Sequence, residues 1–326
     1  LLTRRQVFLA PLLLSACARD DRTRPLFAAD AHPDEYPTVQ ALHAIDRLLD
    51  ERTNGEMRVR VYAGGQMGAE KDTLEITIFG GLDLNRVNLA PLNSIVPETI
   101  VLALPFIFHS IPHARSVFDG EPGQRILDTM QVHGLKGLCY YDSGARSFYN
   151  TVRPIRTPDD MAGMKIRVQN SDIYVAMVQA LGANPTPIPY GEVYQALIQG
   201  VVDGAENNWP SYESSRHFEV ARNYSLTRHV MAPEVLVAST RSWEKMTAEE
   251  RNYLQAAARD SVPIMRKIWD SRVADSRQRV LADGVQLVED IDHAAFAGLM
   301  RPVWDRFLTT PELVALADDV AAMGET

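Results

Sequence analysis

Arg167 lies in Met164-Lys165-Ile166-Arg167-Val168-Gln169, where apolar and polar residues alternate at strand spacing. One face of such a strand carries Lys165, Arg167 and Gln169 together. Arg146 stands in Gly144-Ala145-Arg146-Ser147-Phe148-Tyr149-Asn150, directly after the apolar run Leu135 to Tyr141. A guanidinium presents a planar fork of donors that matches a carboxylate in two parallel hydrogen bonds, and it stays charged over the usable pH range. A structural ion pair with Asp or Glu is the competing role for either arginine. Two arginines at strand ends weigh towards an anion, and Glu206-Asn207-Asn208-Trp209 adds carboxamides and an aromatic wall. Such residues suit non-covalent capture of an organic acid.

Reactive constellations are missing from the sequence. The eight histidines form no Cys/His cluster and no HExxH, and Pro112 separates His109 from His113. There is no GxSxG elbow, P-loop or GxGxxG. Gly64-Gly65-Gln66-Met67-Gly68 lacks the Lys-Ser/Thr that phosphate binding needs and reads as a turn. No spacing singles out an acid/base pair among 42 acidic residues. The expectation is a binding protein with no metal and no cofactor, not an enzyme.

The elements that would hold these residues alternate along the chain. Met57 to Tyr62, Leu82 to Leu89, Leu135 to Tyr141 and Met164 to Val168 read as strands. Glu70 to Phe79, Asp172 to Leu181 and Glu192 to Gln199 read as helices, the first and last stopped by glycine. This alternation is an α/β pattern. Ile78, Gly80, Asp83 and Asn88 recur 120 positions later as Ile198, Gly200, Asp203 and Asn208. That echo suggests two related lobes, and ligands of open α/β sheets bind beyond the carboxyl ends of strands. A chain of 326 residues also exceeds what one core usually holds. Glu249 to Leu281 has no glycine and only Pro263, so a long helix is expected there, either bracing both lobes or packed on one.

The formal net charge of −9 argues against a nucleic-acid partner. Arg4 and Arg5, the apolar run Val7 to Leu14 and the small residues after it have the layout of an export signal and are too short to span a bilayer. Thr3-Arg4-Arg5 with Phe8-Leu9 is similar to a twin-arginine signal. Leu14-Ser15-Ala16-Cys17 resembles a lipobox, which would make Cys17 a lipidation site and leave a soluble body tethered to the membrane. Cys139, in an apolar stretch, is then without a disulfide partner and fills the core.

Several blocks together carry a family resemblance. They are Gly64-Gly65-Gln66-Met67-Gly68, Leu104-Pro105-Phe106, Arg146-Ser147-Phe148-Tyr149-Asn150, Gly163-Met164-Lys165-Ile166-Arg167-Val168, and Tyr190-Gly191-Glu192-Val193-Tyr194-Gln195-Ala196-Leu197 running on through Asp203-Gly204-Ala205-Glu206-Asn207-Asn208. The chain resembles the solute-binding subunit of tripartite ATP-independent periplasmic (TRAP) transporters, of the dicarboxylate-binding type. The resemblance implies a periplasmic, usually monomeric receptor of two α/β lobes with a cleft between them and a long bracing helix. It places residues 1–26 in signal and linker, 27–144 with 232–266 in the first lobe, and 145–231 with 267–322 in the second. It implies that Arg167 grips the ligand carboxylate, with Arg146 and Asn207 beside it. It also implies that the closed form docks on membrane permease subunits for sodium-driven uptake.

Asp30-Ala31-His32-Pro33-Asp34-Glu35-Tyr36-Pro37 and Glu70-Lys71-Asp72 are similar to members that bind sugar acids, especially D-glucuronate and D-galacturonate. A hexuronate has one carboxylate and several hydroxyls, which suit Glu70 as acceptor and a His32 nitrogen. Arg86 would add a donor. A C4-dicarboxylate wants a second cation and would be repelled by Glu70. Other roles stand beside these: His32 and Glu70 pairing with each other, or Glu70 as a helix N-terminal carboxylate. A C4-dicarboxylate or 2-oxo acid as ligand, an enzyme acting on acidic sugars, and a sensor that reports occupancy are the alternatives.

Overall fold

The computed structural model describes residues 25–323. Cys17 and the expected export signal lie outside the described residues. Eleven strands form two sheets: β1 (Leu26–Ala29), β2 (Val59–Tyr62), β3 (Leu84–Asn88), β4 (Leu135–Tyr141), β5 (Arg146–Asn150), β6 (Lys165–Val168), β7 (Asn184–Pro187), β8 (Gly204–Asn207), β9 (Asn223–Val230), β10 (Glu234–Ser239) and β11 (Gln286–Val288). The first sheet has the order β2-β1-β3-β10-β4 and the second β11-β9-β5-β8-β6-β7. Chain passes between them twice through strands, from β4 to β5 and from β9 to β10. In each sheet a central strand runs antiparallel to the parallel set: β10 against β3 and β4, and β5 against β8 and β9.

The sequence echo has a physical basis. Gly80 and Gly200 both take positive φ, +83° and +66°, which ends the preceding helix without a Cβ penalty. Asp83 then accepts the Phe27 amide at 2.8 Å, and Asp203 accepts the Lys165 amide at 2.7 Å. Each aspartate thus ties the start of one strand (β3, β8) to the parallel strand beside it (β1, β6). The repeated residues build the same local device twice.

The helix Ala248–Ala282 runs without interruption through Pro263. It starts at a capping box in which Glu250 N–H donates to Thr247 Oγ1 (3.2 Å) and Thr247 N–H donates to Glu250 Oε2 (2.6 Å). Leu254, Ala257, Met265 and Trp269 enter the core of the first sheet, and Val280 enters that of the second. Arg272 reaches Glu213 at 2.5 Å, fastening the far half to the helix Trp209–Ser214. One helix therefore spans both cores, the bracing arrangement of the two entertained from sequence.

Cys139 is buried in the first core, where burial lifts its thiol to about 12. The terminal helix Pro311–Ala322 departs from the expected division. The chain up to 322 was assigned to the second lobe, yet this helix lies on first-lobe elements: His113 Nε2 is 2.8 Å from Val320 O, and Arg125 reaches Asp319 at 2.9 Å. Its apolar face of Leu313, Leu316 and Val320 shares a core with Leu102 and Ile126, and this burial sets its place.

Candidate functional site

Parallel strands stop in step, so residues at and just past their carboxyl ends collect in one cleft. From the first sheet come Asp30 and His32 after β1, Asn88 at the end of β3, and Glu234 at the start of β10, directly opposite Asn88. From the second come Arg167 and Gln169 at the end of β6, Asn207 at the end of β8, and Arg146 at the start of β5. A cavity of about 280 Å³ lies between Glu70 and the Gly64–Gly68 turn on one side and Arg167, Gln169 and Tyr190 on the other. That is close to the lower end, roughly 300 Å³, of small-molecule sites. A narrower recess continues inward past Glu70, His32, Asn88 and Glu234 to Arg146 and Asn207.

The first-lobe wall is organised by Arg86, fully buried on β3. Its Nε donates to Asp30 Oδ2 at 2.8 Å, and its Nη2 binds Asp30 Oδ1. Its Nη1 serves Glu70 Oε1 at 2.9 Å and Glu234 Oε2 at 2.6 Å. Nη2 also lies 2.6 Å from His32 Nδ1. The same Nδ1 lies 3.1 Å from Asp30 Oδ1, so it sits between a donor and an acceptor of one ion pair. His32 stacks on Tyr36 at 3.9 Å, which fixes the ring plane. Glu234 Oε1 takes Asn88 Nδ2 at 3.1 Å and Ser143 Oγ at 2.9 Å, and Glu70 Oε1 takes the Asn88 amide at 3.0 Å. Glu70 Oε2 has no protein donor among the described residues.

Burial alone would lift all three carboxyls. At Asp30 and Glu234 the Arg86 charge, together with His32 and, at Glu234, the Asn88 amide, outweighs it, and both are held below the usual carboxylate range. At Glu70 burial wins, helped by repulsion from Glu234, and the carboxyl stays above that range despite Arg86. One cation cannot fully serve three anions.

The second-lobe wall carries the opposite imbalance. Arg167 is 2 % exposed, and its only hydrogen bond among the described residues runs from Nε to Ile188 O at 2.8 Å. No carboxylate is paired with it there, and burial pulls its pKa down, with Glu206 partly restoring it. Arg146 differs. Its Nε and Nη2 are held by the Glu206 carboxylate, with Nη2 also 2.9 Å from Glu206 O. Glu206 in turn is kept near about 2, because Arg146 and His229 outweigh burial. Asn207 Oδ1 accepts the Asn208 amide at 2.9 Å, leaving its Nδ2 as a donor beside the recess.

The cleft therefore brings together Arg167, Arg146, Asn207, Glu70 and His32. Arg86 is not among its walls. Its nitrogens are spent on carboxylates and an imidazole, so it positions acceptors and does not supply the further donor expected of it. His32 and Glu70 do not pair with each other; both meet Arg86. Glu70 also sits in the first turn of the helix Glu70–Ile78, so its helix-terminal role holds as well. Sequence reasoning missed Glu234, whose signal was a lone glutamate opening the apolar run Val235-Leu236-Val237-Ala238. It also passed over Tyr190 and Gln169 as wall residues, while the echo had pointed Asn88 at the cleft.

With this geometry in place, comparison with known proteins is direct. The profile of the DctP family, bacterial extracellular solute-binding protein family 7, matches residues 28–310. The chain belongs to this family. A solute-binding protein of Chromohalobacter salexigens is 43% identical over 290 residues, 89% of this chain and 86% of its own. A TRAP periplasmic solute-binding protein from Bradyrhizobium sp. BTAi1, solved with α/β-D-galacturonate, superposes with a TM-score of 0.90 at 49% identity, covering 92% of this chain and all of the other. One from C. salexigens, solved with D-glucuronate, gives 0.89 at 42% identity, covering 91% and 99%. Family 7 proteins are periplasmic receptors that hand a solute to a TRAP transporter, and this member is a receptor, not an enzyme.

Two consequences are measurable in this family 7 receptor. Removing Arg86 as Arg86→Leu strands the buried Asp30 and Glu234 and the half-buried Glu70, which should cost about 3–5 kcal/mol in urea unfolding of the unliganded protein. A loss under 1 kcal/mol would refute the central role of Arg86. The second concerns His217, held at about 3 by burial and by the nearby Arg167 charge, against an ordinary 6.5. A depressed folded pKa means full stability above pH 6.5. Below it the unfolded chain gains a proton that the folded one refuses, so stability falls from pH 6.5 towards 3. The thermal midpoint should drop by roughly 2–4 °C per pH unit there on account of this residue. His217→Gln should shallow that slope, and an unchanged slope would rule the contribution out.

Proposed function

We propose that the protein captures a hexuronate, D-glucuronate or D-galacturonate, for TRAP-mediated uptake. Arg167 carries this reading: a buried guanidinium without a carboxylate partner among the described residues, facing a wall rich in acceptors. The ligand carboxylate completes the Arg167 fork, with Asn207 Nδ2 and the free side of Arg146 beside it. Glu70, Glu234 and His32 address ring hydroxyls. A C4-dicarboxylate would push its second carboxylate against Glu70 and Glu234, which already share one cation. The relatives solved with galacturonate and glucuronate support the same class. In this reading the receptor works as a monomer, closes over the sugar acid and then docks on the permease subunits.

The experiment is a thermal-unfolding screen of residues 18–326 against uronates, C4-dicarboxylates and 2-oxo acids. A ligand at a hundred times its Kd adds about 2.7 kcal/mol, a rise of roughly 5–10 °C. The rise should come with uronates and not with succinate or malate. Arg167→Ala should weaken uronate binding by about 2–5 kcal/mol, a loss of at least thirtyfold. Its unliganded midpoint should hold or rise, since an unpaired buried charge is removed. An unchanged Kd would sink the assignment of Arg167.

We further propose, from Leu14-Ser15-Ala16-Cys17, that the exported receptor is tethered through a lipid on Cys17. Cells expressing the full chain and fed labelled palmitate should yield a labelled receptor, and Cys17→Ser should yield none. Equal labelling of both would exclude Cys17, and labelling of neither would exclude the anchor.

A further inference from the structure

The lobes touch across the mouth of the cleft. Ser171 Oγ donates to Asn93 Oδ1 at 2.8 Å, and deeper in, Tyr36 OH lies 2.8 Å from Ser211 Oγ. Both contacts join an element of the first lobe to one of the second, so the cleft is closed. A second cavity of about 450 Å³ nevertheless remains beside the first, and the two share Lys71, Pro91 and Asn170 in their walls. The room is thus a feature of the closed form, not the gap of a parted cleft. Both lobes line it.

Its chemistry is that of a sugar subsite. The side chains of Ser94, Asn170, Glu75 and Asp172 have no bonding partner among the described residues and offer hydroxyl, amide and carboxylate groups, while Ile95 and Phe307 supply apolar faces. A sugar ring needs that pairing: polar groups for its hydroxyl rim and apolar surface for its C–H face. Lys71 is the only cation in this wall, against Glu75 and Asp172. A second carboxylate would be disfavoured there, whereas a neutral sugar would not. The smaller cavity differs: Arg167 opens into it unpaired and, with Lys71, balances Glu70 and Glu192 in its lining.

We propose that this outer cavity is a second glycosyl subsite, and that the receptor takes disaccharides in which a uronate is linked to a neutral sugar as well as the free uronate. This rests on the uronate reading of the inner site. The uronate keeps its carboxylate on Arg167, and the neutral unit extends past Lys71 and Asn170 between Ser94 and Phe307.

The test is calorimetric titration of the receptor with D-glucuronate, with β-1,4- and α-1,2-linked glucuronosyl disaccharides of neutral sugars, and with neutral cellobiose. At least one glucuronosyl disaccharide should bind with a Kd within about tenfold of free glucuronate, and cellobiose should not bind. Ser94 is exposed and lines only the outer cavity, so Ser94→Trp fills that space without entering the inner site. It should weaken the disaccharide at least tenfold and leave glucuronate unchanged, which also reports an intact fold. Binding of glucuronate with no binding of any disaccharide overturns the subsite. So does a disaccharide that binds Ser94→Trp as well as the wild type. Failure of free glucuronate itself refutes the uronate reading, and this proposal with it.

Discussion

Everything on the first-lobe wall hangs on a single buried guanidinium. Three carboxylates and an imidazole converge on Arg86, the one cation they share. An isolated carboxylate in a protein interior takes up a proton and loses its value as a double acceptor. Sharing one cation keeps Asp30 and Glu234 ionised and leaves Glu70 poorly compensated. The lone pairs that Arg86 and its neighbours leave over are what the wall can offer a hydroxyl. Arg86 is thus a positioning residue: it touches nothing in the cleft and fixes most of what does.

The second lobe answers with the reverse imbalance. Arg146 is matched by Glu206, whereas Arg167 has only a backbone carbonyl for company. A closed, unliganded cleft therefore costs free energy on both sides, in a cation without an anion and in acceptors without donors. A molecule carrying one carboxylate and several hydroxyls relieves both terms at once. A ligand shifts a conformational equilibrium only through its differential affinity for the two states. Here the differential arises because each lobe alone supplies half of the required complement. Chain crossing between β4 and β5 and between β9 and β10, with the long helix anchored in both cores, lets the halves meet in a fixed register.

Much of this was legible in the sequence, and the limits are physical. The strand Leu135–Tyr141 and the long helix follow from local patterning, because apolar periodicity is set by which face is buried. The echo of Gly80, Asp83 and Asn88 was legible for a better reason, since the same turn and strand-tying hydrogen bond are built twice. β5 and β9 were not assigned. Buried polar residues, such as Asn150 in β5 and Ser225, Thr227 and His229 in β9, break their apolar runs. The partner of an arginine is a long-range fact: Arg146 meets Glu206 across 60 residues and Arg86 meets Glu234 across 148. Sequence could name both arginines as candidates. It could not say that one was half spent and the other wholly so.

The two lobes share a device but not a charge, and that asymmetry fixes how a ligand must lie. Duplicated strand ends alone would give a cleft with two equivalent ways in. Arg86 on β3 has its carboxylates gathered round it, so the first lobe presents acceptors. Arg167 on β6 has none, so the second presents a donor fork. A ligand turned end for end would set its carboxylate among Glu70 and Glu234 and leave Arg167 bare, doubling the mismatch instead of removing it. Like charges brought together in a water-poor cleft are penalised far more than in solvent. Orientation therefore follows from where each arginine found, or failed to find, its acid.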